Sequence, residues 1–396
     1  MLVARQRDRI SNNQFITIAI PATLPIVTNT SIPSPTQEIV YTPTLQSTPT
    51  IVIEEKCIKI EDQVLSDLQL PRVWVIGEAN PYLEDIETGK KIGIPLKGTN
   101  VLSSDFEGYA VSPNREWFAY IDQYIDGVEA NKRILRIINS SGESLPMDFW
   151  SENFQWIIGW ADNEHIALEL NKTSITHQKI VILNPFSGDY KDITPTWIKD
   201  FHDLDPYWIP QIHYSPDASR AVVVADRKFE LRDVQTGKIL FRGKNVDTLP
   251  DLDWSSDSLE LAIVENAWKH LYIIGKDEYL LKLESQSFDT SAGFYGVWWS
   301  TNGQKLLFGV GGLHFFDLES GKITNLCFDD KSIWTRDIKP LWSPDNRFIV
   351  ISAIQHHSVS PERSSFNLIV DFKEMRAYKL PIKSIHYERL AWLALP

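Results

Sequence analysis

Basic residues are the minority in this chain: 39 Lys and Arg stand against 52 Asp and Glu, a formal charge of −13 over 396 residues. Nucleic acids and anionic lipid surfaces are held by basic footprints, so this balance excludes both as global partners and favours neutral or cationic ones. Cysteine is nearly absent. Cys57 and Cys327 form no C-x-x-C pair and have no His cluster beside them, which excludes a structural zinc site and leaves either one disulfide or two separate thiols. Long apolar runs are missing too: "FITIAIPATLPIV" is broken by Pro21 and Pro25 and falls short of the ~20 residues a membrane-spanning helix needs. Catalytic signatures are lacking as well. There is no G-x-S-x-G elbow, no H-E-x-x-H and no phosphate loop, and "GVGGLH" has His314 where a dinucleotide fingerprint needs its third glycine. "DQYIDG" keeps Asp122, Asp126 and Gly127 of a calcium loop, but Tyr124 replaces an oxygen ligand and Arg133 stands where the bidentate Glu belongs.

What is present begins with an unusual N-terminus. Arg5, Arg7 and Arg9 precede the broken apolar run, which outlines an export signal without a clear cleavage site. From Pro21 to Thr50 the chain is rich in Thr, Pro and Ser, with Glu38 as its only charge. Such a stretch cannot bury enough apolar surface to offset its ordering entropy, and it reads as an extended linker. The expected organisation is an export signal and disordered linker over residues 1–56, then a folded domain over 57–396 with a lead-in at 57–71. The domain is expected to be monomeric and extracytoplasmic, secreted or attached to the envelope, with the N-terminus near a membrane.

A repeat organises the rest. An aromatic or Val, then Ser or Ala, a small residue, and Asp or Asn recur as "VSPN" (Val111), "WADN" (Trp160), "YSPD" (Tyr214), "WSSD" (Trp254), "WSTN" (Trp299) and "WSPD" (Trp342), in steps of 49, 54, 40, 45 and 43 residues. Between them falls a second turn, as in "DIETGK" (Asp85), "DVQTGK" (Asp233) and "DLESGK" (Asp317), where Asp can accept the turn's own amides and Gly supplies positive φ. Flanking runs such as "AVVVAD", "LELAIV" and "FIVISA" are β-rich with no helical period. Two hairpins alternating at 40–55 residues fit four-stranded propeller blades. The C-terminal "RLAWLAL" looks like an inner strand without outer ones, and "RVWVIGEANPYLEDIETGKKIGIPL" like outer strands without an inner one. Their pairing would close the ring and remove the open sheet edges.

The WSPD turn, the D-x-x-T-G-K turn and this period resemble the repeats of TolB-like propellers, relatives in shape of WD-repeat propellers, over residues 72–396. The resemblance implies an all-β, seven-bladed propeller and is poor for function, since such propellers include envelope scaffolds, receptors and domains attached to peptidases.

Propeller topology sorts the loops. The short repeated turns lie on one face, and the long irregular segments on the other. The latter combine acids with aromatics, a chemistry suited to a peptide, a protein or a glycan. The candidate ligand-binding residues are Trp150, Asp203, Asp205, Tyr207, Trp208, Trp334, Arg336 and Asp337. The bland alternative is that the aromatics cap the core and the acids are solvated. No catalytic residue, metal site or cofactor is expected; His202, His356 and His357 are a poor ligand set because adjacent histidines on a strand point apart. The expected function is non-catalytic binding. The competing reading is a carbohydrate-active enzyme with Asp203, Asp205 and Asp337 at the channel mouth.

Overall fold

The computed structural model describes residues 53–394 except 62–69, 71–72, 78–81, 86–87, 95–107, 124–132, 146–148, 151–153, 171–178, 202–210, 226–227, 245–250, 266–268, 276–278, 289–292, 336–339, 357–362 and 381–387. These residues belong to one compact unit, Gln46–Pro396. The first described strand, β1 (Ile53–Glu61), includes four residues of the expected linker.

Four-stranded antiparallel units follow in chain order. Sheet I contains β2 (Val73–Gly77), β3 (Tyr82–Asp85) and β4 (Lys91–Gly93). Sheet II contains β5 (Tyr109–Val111), β6 (Trp117–Gln123), β7 (Arg133–Asn139) and β8 (Phe149–Trp150). Sheet III contains β9 (Phe154–Trp160), β10 (Ile166–Leu170), β11 (Lys179–Leu183) and β12 (Tyr190–Asp192). Sheet IV contains β13 (Gln211–Tyr214), β14 (Arg220–Ala225), β15 (Lys228–Asp233) and β16 (Ile239–Lys244). Sheet V contains β17 (Leu252–Trp254), β18 (Leu261–Glu265), β19 (His270–Ile274) and β20 (Tyr279–Glu284). Unit VI contains β21 (Tyr295–Trp299), β22 (Lys305–Gly309), β23 (Leu313–Asp317) and β24 (Lys322–Phe328). In unit VII, β25 (Ile333–Thr335) and β26 (Leu341–Trp342) share the first position, followed by β27 (Phe348–His356), β28 (Arg363–Asp371) and β29 (Arg376–Lys379). The last strand, β30 (Glu388–Leu393), pairs with β2 and completes sheet I, with Trp392 opposite Trp74. The expected pairing of the two ends of the domain is therefore present.

Inner strands such as β10 and β14 are apolar on both faces because each sheet lies between two others. On β14, Val222 packs toward sheet V, while Ala221 and Val223 pack toward sheet III. Successive side chains of a strand point to opposite faces, so an unbroken apolar run fills two cores at once. Each unit shares such a core with the next. The last core joins unit VII to sheet I, with Phe348 and Ile369 against Tyr82 and Trp392. Sheets packed in sequence, the last against the first, are a propeller arrangement.

The strand β1 stands outside this plan. It runs parallel to β24 from Ile53 to Ile58 and then parallel to β29 from Lys59 to Glu61, merging units VI and VII into one ten-stranded sheet. Its register sets Cys57 opposite Cys327, with Cα atoms 4.3 Å apart, and the two are disulfide-bonded. Of the alternatives the sequence left open, the structure takes the disulfide. Ile58 is the only fully buried residue of β1 and enters the core between units VI and VII.

Candidate functional site

One face is built from repeated turns. At five inner hairpins a buried serine (Ser112, Ser215, Ser255, Ser300, Ser343) donates its hydroxyl to the Asp or Asn two residues on. The same oxygen accepts the amide five residues on, as Ser215 Oγ does from Arg220 at 3.0 Å. The residue three past the serine takes positive φ: Arg115, Ala218, Ser258, Gly303 and Asn346. Sheet III departs from this. Ala161 replaces the serine, and the turn closes from Ala161 N–H to His165 C=O, one residue shorter than the others. The outer turns use the second motif, with Asp233 accepting the Thr236 amide at 2.7 Å before Gly237 at φ 71°.

These turns also bind neighbouring sheets together. Asn114 N–H donates to Asn163 Oδ1 at 2.9 Å, Asp217 N–H to Ser258 Oγ at 3.0 Å, and Asn302 N–H to Asn346 Oδ1 at 3.2 Å. The Ser256 hydroxyl donates to Thr301 C=O, and Ala394 N–H to Arg115 C=O. Across sheets III and IV the contact is steric: a Cβ on Gly159 would lie 2.7 Å from the Pro216 backbone. The serines and the Asp or Asn groups of these inner turns form a hydrogen-bonded girdle and are consumed by the fold.

The described second and fourth strands of the units run away from these turns and end at the opposite face. Asp203, Asp205, Tyr207, Trp208, Arg336 and Asp337 lie outside the described residues, as do His202 and His357. Trp150 and Trp334, expected on loops, stand on short strands instead. Trp150 is on β8, opposite Ile134 at the outer edge of sheet II. Trp334 is on β25, opposite Ile354 in the first position of unit VII. The reason is local: "FW" and "SIWT" lie beside the apolar strands β7 and β27, whose free edges they pair. The structure does not bring these two tryptophans to one sheet or one radius.

Other polar groups gather at this end of the described strands. Glu169 and Glu265, 4% and 6% exposed, sit near the loop ends of β10 and β18. Glu265 is opposite His270 on β19, whose Nε2 is 3.9 Å from Glu284 Oε1. Burial, aided by Lys282, lowers the His270 pKa. In unit VII the Gln355 amide donates to Asp330 Oδ2 at 3.1 Å, and hydrogen bonds from Ser332 hold the Asp330 carboxyl below its usual range. By contrast Tyr214, at the girdle end of β13 in sheet IV, has its hydroxyl pKa pushed up by burial and the charge of Glu169. The sequence signal for Glu169 and Glu265 was a lone acid in an apolar strand, "IALEL" and "LAIVE". These groups can accept hydrogen bonds from a hydroxylic or cationic ligand, and they are spread over sheets III and V and unit VII. Among the described residues, the group of three metal-ligating side chains within 4.8 Å is Glu55, Cys57 and Cys327, whose sulfurs are bonded to each other. No described helix is long and apolar enough to cross a membrane.

The strand pairing and the circuit of cores define the chain as an all-β propeller. No protein-family model matches it, and no curated protein matches it. Among solved structures it is similar to the β-propeller domain of Cps50 (Swd1) from Myceliophteria thermophila, at 10% identity and a TM-score of 0.44, over 74% of this chain and 96% of that one.

Proposed function

We propose that this chain is a non-catalytic binding propeller that engages a protein, peptide or glycan through its long-loop face. One observation carries the reading: the serine and Asp/Asn groups of the inner turns are tied into the girdle, whereas the described strands that flank the acid- and aromatic-rich segments end at the opposite face. In this reading the ring has seven blades of the TolB-like kind and acts as a monomer outside the cytoplasm, at the envelope or beyond it. The disulfide supports that location, because such bonds persist in oxidising compartments. So does the Thr/Pro-rich segment that precedes β1. Ile53 pairs with Ile323, just after the Asp317–Lys322 turn, so β1 begins on the girdle side of unit VI.

The test is a thermal-shift screen of glycans and peptides. A ligand at a hundred times its Kd adds about 2.7 kcal/mol to native stability. Joint replacement of Trp150, Trp208 and Trp334 by alanine is expected to weaken a hit at least tenfold, with the unliganded melting curve of the variant serving as the fold control. Unchanged affinity in the triple variant overturns the reading.

A further inference from the structure

Three side chains with metal-ligating atoms meet on one face of the β1–β24 pair. Glu55 and Cys57 are alternate residues of β1 and so point to the same side. The parallel register sets Cys327 opposite Cys57, which brings its side chain to that side as well. The Glu55 carboxylate leans over the disulfide, with Oε1 3.9 Å from Cys57 Sγ and 3.7 Å from Cys327 Sγ. Among the described residues Glu55 has no ion-pair partner, whereas its neighbour Glu54 is held by Lys322 and Lys56. Glu55 and Cys57 are exposed and Cys327 is half-buried, so the bond is open to reagents in solvent.

These spacings suit a tetrahedral zinc ion once the sulfur–sulfur bond is broken. With Zn–S at about 2.3 Å and Zn–O at about 2.0 Å, the edges of such a site measure about 3.6 Å between oxygen and sulfur and about 3.8 Å between sulfurs. Both oxygen–sulfur separations already fall close to that edge. Only the sulfurs must part, by rotation about the cysteine Cα–Cβ bonds, while the strand register keeps the Cα atoms 4.3 Å apart. Charge points the same way. Two thiolates beside an unpaired carboxylate repel it, and a divalent cation among the three turns that repulsion into attraction. Two sulfurs and one carboxylate select a borderline-soft ion such as zinc over magnesium or calcium. Positions 55, 57 and 327 show no metal-ligand spacing in the sequence because only the docking of β1 brings them together.

We propose that Glu55, Cys57 and Cys327 form a redox-gated site for zinc or a divalent ion of its kind, so that β1 is clamped to β24 by a disulfide when oxidised and by a metal when reduced. A dithiol reductant passes two electrons to the disulfide and closes to a disulfide of its own, its two protons going to Cys57 and Cys327. The ion then displaces both protons to solvent and takes the two thiolates and the Glu55 carboxylate as ligands. Three protein ligands leave the fourth tetrahedral position to water, as in open zinc sites.

The experiment takes the full chain, either oxidised or reduced with a phosphine under nitrogen and desalted, and titrates it with cobalt(II) as a spectroscopic stand-in for zinc. The reduced chain is expected to develop a thiolate-to-cobalt charge-transfer band that saturates at one ion per chain and is bleached by zinc, and the oxidised chain none. Cys327→Ser is expected to abolish the band. Glu55→Gln is expected to weaken binding by about tenfold or more, since even outer-shell partners of a bound metal are worth that much. Hydrogen exchange at residues 54–60 should be fast in the reduced, metal-free chain and slow again with zinc. Circular dichroism and thermal melts establish that each variant folds. A reduced chain without the band, an oxidised or Cys327→Ser chain with it, Glu55→Gln binding as tightly as wild type, or exchange at 54–60 indifferent to zinc overturns the proposal.

Discussion

Replacing Cys57 by serine opens a covalent loop spanning 270 residues. Loop-closure entropy for a cross-link of that span amounts to about 5.6 kcal/mol if the denatured chain is fully expanded, and measured disulfides more often give about 2–4 kcal/mol. The folded domain, residues 46–396, should unfold with an entropy near 0.7 kcal/mol per degree, taking about 2.1 cal/mol/K per residue. The predicted loss in melting temperature is therefore about 3–6 °C, read by calorimetry on wild type and Cys57→Ser without reductant. The structure also predicts where the loss begins. Only Ile58 of β1 is fully buried, so the strand can leave units VI and VII before the ring opens. Hydrogen exchange should accelerate at residues 54–60 and stay slow in β10 and β14. A variant that melts within about 1 °C of wild type, or exchange that speeds up equally across sheets III and IV, refutes this reasoning.

Three further outcomes follow from single side chains. His314, 5% exposed, packs between Phe288 and Phe308 with its Nδ1 unpartnered, and burial lowers its pKa to about 4. Below the unfolded pKa of about 6.5 the denatured chain binds a proton that the fold refuses, so stability falls with pH and about 3 kcal/mol is lost below pH 4. His314→Leu should flatten that part of the profile in denaturant titrations at pH 7 and 4.5. Ser215→Ala removes the acceptor of the buried Arg220 amide and should cost about 1–3 kcal/mol by urea denaturation. Gly159→Ala drives a methyl against the Pro216 backbone between sheets III and IV and should cost about 1–3 kcal/mol in the same assay.

The turns were legible because their chemistry is local. A serine, a small residue, an acid and a left-handed fourth position form a complete hydrogen-bonded unit within six residues, so Ser215–Arg220 could be read without knowing its neighbours. Ring closure was legible for a related reason: "RLAWLAL" lacked outer strands and "RVWVIG" lacked an inner one. The shortened turn of sheet III was hidden, since "WADN" matches the pattern while its hydrogen bonds close one residue early. The strand β1 was hidden more deeply. "IEEKCIKIE" has polar residues on both faces although it joins the outer strands β24 and β29, and its partner β24 is some 270 residues on, a separation no local pattern encodes. The candidate site was read from composition, and composition placed Trp150 and Trp334 in loops although each pairs with an apolar neighbour, Ile134 and Ile354.

The central claim is that one face is spent on the girdle and the other is free to bind. The most direct measurement is a hydrogen-exchange footprint of the full chain with the strongest thermal-shift ligand. The account predicts protection at residues 124–132, 202–210 and 336–339 and no change in the turns at 112–117, 215–220 and 343–348. Protection confined to those turns would contradict it.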